Sequence, residues 1–313
     1  RLEAAAADGE CFSFHAPQAA SWQSLARVHD QGYLTRVFSG TLTAAEIRRI
    51  GFPWSEQLVE RSRRSTGAAV DAATAALDDG IAASLAGGTH HAGIAFGEGY
   101  CVFNDTAVAV RELQAAGRIT RAASLDLDVH QGNGTAEIFA DDASVFTVSV
   151  HGRRNFPLRK VASSLDLPLD DGAADEPYLE AADQATHAAI HNGRPDLLLY
   201  IAGSDPYEGD RLGRLAVVRR LGAFAGRAAR CRLGLADDRR DRAALDAHAN
   251  AVGDFDRQFM IVDDLGHRTE DAAAGDDPIA APHGRQHFLV HLHLLLLRTN
   301  QQEVEDRKDQ HQR

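Results

Sequence analysis

The sequence has few of the residues that mark secreted or membrane-bound proteins. Its three cysteines, Cys11, Cys101 and Cys231, lie at unrelated spacings, so they form neither a disulfide framework nor a Cys-x-x-Cys metal site. No run approaches the roughly 18 apolar residues that span a bilayer. With 44% hydrophobic and 25% charged residues, the composition is that of a globular protein. We therefore expect a cytoplasmic protein with no membrane partner.

Positive charge is also scarce. Lys and Arg together number 33 against 45 Asp and Glu, which gives a formal net charge of -12. This balance argues against direct binding of nucleic acid, whose phosphates require clustered Lys and Arg. An anionic surface does favour cationic partners such as polyamines or basic tails. No exposed apolar stripe in the predicted N-terminal helices requires an oligomer.

The length of 313 residues fits one large α/β domain. A helix over 43–50 is predicted by the capping box of Thr43 and Glu46, and a second over about 55–77 follows. Asn104 is a predicted N-cap, and a further helix is expected near 176–191. Predicted strands alternate with these helices and cover 81–86, which reads as short and buried, 122–129, 144–150 and 195–203.

Alternating strands and helices predict a mostly parallel sheet with helices on both faces. In such sheets ligands bind beyond the carboxyl ends of the strands. The residues with catalytic chemistry fall at these ends. Beyond about Val218 no strand-turn-helix unit can be drawn, although 287–297 is apolar enough for one buried strand or helix.

The segment LDLDVHQGNG carries three residues of metal-ligand type. Because alternate side chains of a strand share a face, Asp126, Asp128 and His130 are expected to point the same way. Two adjacent buried carboxylates are unfavourable unless a cation compensates them. An exposed strand end would have the same pattern. Asp205, just past the apolar strand 195–203, favours the metal site because it reaches the same edge of the sheet.

Two Asp and one His leave an open position on a tetrahedral zinc, as a hydrolytic metal requires. Fe²⁺ or Mn²⁺ would also accept these oxygen and nitrogen donors. The pair His90-His91 follows a Gly-Gly turn; alone it could be a surface feature, but beside a metal-bound water it can exchange protons. Asp126 and Asn133 are candidates to hold the other ring nitrogens.

Six motifs of this chain, in order, resemble the histone deacetylase superfamily, in particular its bacterial members related to class IV. The resemblance covers residues 21–216 and is carried by the following segments: VHDQGYL (28–34), GTLTAAEIRRIGFPWS (40–55), GGTHHAGIAFGEGYCVFND (87–105), LDLDVHQGNGT (125–135), FTVSVH (146–151) and AGSDPYEGDRLGRL (202–215). It implies the arginase-like α/β fold and hydrolysis of an N-acetyl amide. The implied substrates are acetyl-lysine, an acetylpolyamine or another small acyl compound.

The resemblance also implies roles for individual residues. Asp128, His130 and Asp205 would be the zinc ligands. His90 and His91 would be the active-site histidines, with Asp126 behind His90 and Asn133, where many members have Asp, behind His91. Gly99, Tyr100 and Phe156 would line the substrate channel. A structural K⁺ site would be formed by the following residues, in part through backbone carbonyls: Asp126, Asp128, His130, Ser149 and Val150.

The chain departs from the family in its C-terminal third. The family's tyrosine in a late Gly-Gly-Tyr turn has no counterpart, since no Tyr follows Tyr207, and Tyr207 itself lies beside Asp205 with no sign of the required reach. The match breaks near Val217–Arg219. We predict a deacetylase-like domain over 1–218, altered at both ends, and a tail over 219–313 that is disordered or read in a shifted frame.

Two other functions are compatible with parts of the sequence. Without the late tyrosine, the chain could be a degenerate family member that binds metal or acyl groups but does not catalyse. A binuclear manganese ureohydrolase shares the fold, but it needs further carboxylates, and Gly132 occupies the first such position. The motifs favour the zinc-dependent deacetylase.

Overall fold

The computed structural model describes residues 16–218 and the backbone of residues 294–298. These residues belong to one of two units into which the chain divides. Of the N-terminal segment 1–20, the structure describes only residues 16–20. The predictions for the tail lie outside the described residues except at 294–298.

Most of the described helices begin at a residue whose side chain caps the first turn. Within the described ranges they are α1 (Trp22–Leu25), α2 (Gln31–Ser39), α3 (Ala44–Ile50), α4 (Glu56–Asp79), α5 (Asp105–Ala115), α6 (Asn133–Ile138) and α7 (Asp175–His191). Thr43 and Glu46 form the predicted capping box, and the side chains of Ser55 and Asn104 cap α4 and α5. Among the helices described, none is long and apolar enough to cross a membrane.

The described strands form one sheet that is mostly parallel. They are β1 (Ile81–Ser84), β2 (Ala122–Asp126), β3 (Val145–Gly152), β4 (Leu165–Leu169), β5 (Leu197–Ile201) and β6 (Leu294–Arg298), in the spatial order β1-β6-β5-β2-β3-β4. Strand β2 runs parallel to β3 and β5, and β3 runs parallel to β4. Strand β6 is antiparallel to both neighbours. Helices flank the sheet, as the sequence predicts for an α/β protein.

The edges of the sheet differ most from the sequence-based expectation. Strand β1 was expected to be buried, but Ile81 is 39% exposed because β1 lies at an edge. Strand β4, at the other edge, was not predicted. Its Pro168 weakens the strand pattern, and an edge strand tolerates proline because fewer of its N–H groups must pair. Of the predicted apolar segment 287–297, residues 294–297 belong to β6.

The central strands place their carboxyl ends side by side. Asp126, the last residue of β2, pairs in register with Ile201 of β5 and with Ser149 of β3. All residues of β2 and β5 are buried, so the first polar side chains beyond these ends meet at one edge of the sheet.

Candidate metal centre and histidine pair

The turn after β2 brings Asp128 and His130 together. Regular strand geometry ends at Asp126, three residues before the predicted end, so strand alternation does not reach His130. Asp126 accepts the backbone N–H of Asp128 at 3.1 Å with Oδ1 and lies 2.6 Å from Nδ1 of His90 with Oδ2. Asp128 and His130 therefore converge through a turn, while the carboxylate of Asp126 contacts a histidine.

Asp205 reaches the same place from β5. Its Oδ1 accepts the backbone N–H of Val129 at 2.9 Å, which fixes the carboxylate against the turn after β2. Gly203 allows this approach, because a Cβ at that position would collide with the carboxylate and backbone of Asp128. A residue with a side chain at 203 would therefore push the two ligand segments apart.

Asp128, His130 and Asp205 form a compact group of possible metal ligands. Nδ1 of His130 lies 3.0 Å from Oδ1 of Asp128 and 2.9 Å from Oδ2 of Asp205. One donor atom from each residue lies within 4.8 Å of the others, and all three side chains are partly buried. Among the described residues, no other group of three or more His, Cys, Asp or Glu side chains has this geometry. The structure thus brings together the three residues predicted as ligands.

The electrostatics of this group favour a cation. Burial, and then the charge of Asp205, raise the pKa of Asp128 above its usual value. Burial would lower the pKa of His130, but its contacts with Asp128 and Asp205 raise that pKa to about 10. Two buried carboxylates therefore draw positive charge to the point between them. A divalent cation fits these donors, since it can bind all three residues at once.

His90 and His91 lie beside this centre, buried to all but 4%. Their ring centroids are 4.1 Å apart, and the ring of His91 is 5.9 Å from that of His130. Nδ1 of His91 lies 2.7 Å from Oδ1 of Asn133. The structure therefore pairs His90 with Asp126 and His91 with Asn133.

The two histidines have opposite pKa shifts. Burial opposes the charged form of both rings. For His90, the negative charges of Asp126 and Asp128 outweigh burial and raise the pKa to about 9. For His91, burial and the positive charge of His90 lower the pKa well below its usual value, since the amide of Asn133 carries no charge. His90 therefore favours the protonated form and the adjacent His91 the neutral form. Two such neighbouring rings suit proton donation and proton acceptance, respectively.

A buried hydrogen-bond network holds the segment after the histidine pair. Nδ2 of Asn104 donates to the carbonyl of Ala92 at 3.0 Å and to Oγ1 of Thr135 at 3.1 Å. Nδ1 of His29 lies 2.9 Å from the carbonyl oxygen of Gly93. Nε2 of the same ring accepts the backbone N–H of Asn104 at 3.0 Å. Sequence reasoning treated Asn104 only as a cap and gave no role to His29, although both lie in matched motifs.

The predicted channel residues surround His91 in part. A Cβ at Gly99 would lie 2.5 Å from Cδ2 of His91 and 3.1 Å from the ring of Phe156, so only glycine leaves this space open. The ring of Phe156 meets His91 edge-on at 4.9 Å. Tyr100 is 58% exposed and packs on Phe52 at 5.0 Å. Gly99 and Phe156 therefore border His91. The ring of Tyr100 packs on Phe52 instead.

Comparison with known proteins decides the family. A family model described as the histone deacetylase domain matches residues 1–229, which is more than half of the chain. The chain belongs to the histone deacetylase family. This match extends beyond residues 21–216, on which the resemblance rests.

Two relatives are similar to this chain over part of their length. An uncharacterized protein of Picosynechococcus is 45% identical over 63% of this chain and 65% of its own length. Histone deacetylase 2 of Arabidopsis thaliana is 30% identical over 64% of this chain and 54% of its own length. The chain thus spans little more than half to about two thirds of these relatives.

A solved structure of the same family supports the fold. The crystal structure of acetylpolyamine aminohydrolase from Burkholderia pseudomallei is 25% identical, with a TM-score of 0.58. The match covers 72% of this chain and 79% of that one. The fold is therefore the arginase-like architecture of the histone deacetylases.

The K⁺ site expected from the family remains a prediction. Asp126 and Ser149 are register partners on β2 and β3, so two of the five predicted residues adjoin. Oγ of Ser149 lies 3.0 Å from Nδ1 of His151.

Tyr207 is 43% exposed, and a Cβ at Gly209 would touch its ring.

Proposed function

We propose that this histone deacetylase family member is a metal-dependent hydrolase. Its substrate is acetyl-lysine or a small acetylated amine such as an acetylpolyamine. The observation that carries the proposal is the group of Asp128, His130 and Asp205 directly beside two buried histidines with opposite pKa shifts. The names of the relatives in Arabidopsis and Burkholderia, a histone deacetylase and an acetylpolyamine aminohydrolase, support this substrate class.

The proposed metal is zinc, although the oxygen and nitrogen donors also accept Fe²⁺ or Mn²⁺. Asp128, His130 and Asp205 would hold it, and Nδ1 is the ring atom of His130 that faces both carboxylates. When bound, such a cation polarises the acyl carbonyl and lowers the pKa of a water. The remaining chemistry belongs to the side chains around it.

His91 is the proposed general base. Its Nδ1 faces Oδ1 of Asn133, which only accepts, so the neutral ring carries its proton on Nδ1 and leaves Nε2 free to accept one. The low pKa of His91 keeps the ring neutral before reaction. The proton taken from water is then available to the amine nitrogen as the C–N bond breaks.

His90 is the proposed electrostatic partner. The carboxylate of Asp126 lies 2.6 Å from its Nδ1 and favours the charged ring, so we assign an imidazolium at neutral pH. Its Nε2 lies 4.0 Å from Oδ1 of Asp128, so the positive charge stands next to the metal ligands. There it stabilises the negative charge that develops on the acyl oxygen.

The late tyrosine of the family has no counterpart after Tyr207. Removing one oxyanion donor costs about 10² to 10³ in turnover in well-studied hydrolases. We therefore expect slow turnover from this chain, with the metal centre and His90 providing the stabilisation that remains.

Acetate release tests the proposal. The full chain is purified, loaded with zinc and incubated with an acetyl-lysine peptide and with acetylputrescine. Release above the level of Asp128→Asn supports the proposal, while Asp170→Asn, at an exposed carboxylate, should match the original chain. If no substrate gives more acetate than Asp128→Asn gives, the proposed activity is wrong for this chain.

A further inference from the structure

Asn133 links His91 to a carboxylate that sequence reasoning did not single out. Its Oδ1 lies 2.7 Å from Nδ1 of His91, and its Nδ2 donates to Oε2 of Glu98 at 3.2 Å. The same oxygen of Glu98 accepts from Nη2 of Arg49 at 3.2 Å. These contacts form a chain from the ring of His91 to a guanidinium.

The position of Glu98 is fixed by the end of α3. The N–H of Gly99 donates to the carbonyl of Arg49 at 3.2 Å, so the backbone next to Glu98 is tied to that helix. The guanidinium of Arg49 lies 3.6 Å from the ring centroid of Phe96. The side chain of Glu98 is 17% exposed. The carboxylate is therefore largely buried and anchored on two sides.

An asparagine at position 133 creates a choice that an aspartate would not. A side-chain amide has nearly the same shape after a 180° rotation, but rotation exchanges an acceptor for a donor. With Oδ1 toward His91, Nδ1 of the ring must carry the proton and Nε2 is free to accept. With Nδ2 toward His91, Nδ1 must be the acceptor and the proton moves to Nε2, where it blocks the base.

The carboxylate of Glu98 removes this choice, because a carboxylate only accepts hydrogen bonds. Oε2 of Glu98 requires Nδ2 of Asn133 to face it, and Oδ1 must then face His91. We propose that Glu98 is a positioning residue that sets the amide orientation of Asn133 and thereby the tautomer of His91. The assignment of His91 as a base rests on the proposed function, whereas the tautomer is a property of the folded chain.

A purely structural role for the Arg49–Glu98 ion pair makes a different prediction. Loss of the pair would then lower stability slightly and leave the tautomer of His91 unchanged. The position of the ring proton therefore separates the two roles, and it does so without reference to turnover.

The experiment records long-range ¹H–¹⁵N spectra of the zinc-loaded full chain labelled with ¹⁵N-histidine. The His91 signals are assigned by their loss in His91→Asn. In the original chain we expect the proton on Nδ1. Glu98→Met removes the acceptor at similar length, so the proton should be found partly or wholly on Nε2. In Glu98→Gln the donor Nη2 of Arg49 should hold the amide oxygen at the place of Oε2, so Asn133 still meets an acceptor and the original tautomer should be kept.

Turnover provides a second readout. Loss of an outer partner of a catalytic site typically costs about 10- to 100-fold. We expect kcat of Glu98→Met to fall in this range with KM within about twofold, and Glu98→Gln to stay within about threefold. Glu112→Met is the matched control, since it breaks an Arg–Glu pair of similar exposure with Arg27. It should change neither the tautomer nor kcat.

Rescue tests the orientation argument directly. In the double variant Glu98→Met/Asn133→Asp, the aspartate has no donor to present, so the proton should return to Nδ1 and kcat should recover. The proposal is overturned if Glu98→Met leaves the proton of His91 on Nδ1, or if the double variant fails to restore it. If the original chain has no turnover, the proposed function fails, and the tautomer still decides the role of Glu98.

Discussion

The rings of His90 and His91 lie 4.1 Å apart, and their pKa values shift in opposite directions. Both rings are buried, so desolvation acts on both in the same sense. Behind His90 lies the carboxylate of Asp126, and behind His91 lies the neutral amide of Asn133. The charge of Asp128 adds to that of Asp126 at His90. Nearby negative charge therefore separates the proposed electrostatic partner from the proposed base.

Asp126→Asn tests this division. The amide has nearly the same shape but no charge, so the imidazolium of His90 loses its main stabilisation. We expect kcat for acetate release to fall by about 10- to 100-fold with little change in KM. Asp170→Asn is the control. A variant that keeps kcat within twofold would show that the charge of His90 does not contribute.

Asp205→Asn tests the metal centre by a measurement that does not need turnover. Removal of a ligand charge should weaken zinc binding by more than about 100-fold, since even outer partners contribute 10- to 100-fold. Competition titration with a zinc chelator measures the affinity. Asp183→Asn, on the exposed face of α7, should bind as the original chain does.

Zinc removal should also lower thermal stability. A ligand that binds only the folded state stabilises it by RT ln(1 + [L]/Kd), where [L] is the free ligand concentration. We expect the Tm of the original chain to fall on chelation and to recover on zinc addition. For Asp205→Asn the same treatment should have a smaller effect, and equal effects would contradict binding at this centre.

Gly99→Ala should reduce activity through a clash with His91. The added Cβ would lie 2.5 Å from Cδ2 of the ring, and φ of +54° adds strain. Gly117→Ala is a matched control, since its φ is +66° and nothing lies within 4 Å of the added Cβ. The left-handed backbone alone should cost each variant about 1 to 2 kcal/mol of stability in urea unfolding, and the clash adds to this cost in Gly99→Ala. Only Gly99→Ala should also lose kcat, and equal kcat values would remove the role of the clash.

His29 should make stability depend on pH. Burial lowers its pKa from 6.5 to about 4. The unfolded chain then binds more protons between these values, so the free energy of unfolding falls as pH drops from 6.5 to 4. The contribution of one such group is about 3 kcal/mol over this window, at about 1.4 kcal/mol per pKa unit.

The His29→Gln variant isolates this contribution. Its amide can replace the two hydrogen bonds of the neutral ring but does not titrate in this range. Urea unfolding at several pH values should show a shallower pH dependence than that of the original chain, by up to about 3 kcal/mol. Gln184→Asn, on the exposed face of α7, should show the original slope. Parallel curves for His29→Gln and the original chain would contradict the assignment.

Local patterns determined the elements and the identity of the candidate ligands. Thr43 with Glu46, Ser55 and Asn104 mark helix starts because a cap acts within three residues of itself. Asp128 and Asp205 follow apolar strands, and parallel strands end at a common edge. Sequence alone therefore predicted the α/β sheet and the residues that meet there. It missed β4, whose Pro168 weakens the strand pattern, and it did not predict helices α1, α2 and α6.

Only the tertiary structure decided which partner each polar side chain meets. Asn133 lies 35 residues from Glu98 and 42 from His91 along the chain, and no local pattern joins them. His29 meets Asn104 across 75 residues. Such contacts depend on how α3, the turn at Glu98 and the carboxyl end of β2 pack together. The sequence alone thus predicted the candidate ligands and the two histidines. Packing decided which hydrogen-bond partner each of them has, because buried polar groups take whichever partner the fold brings within reach.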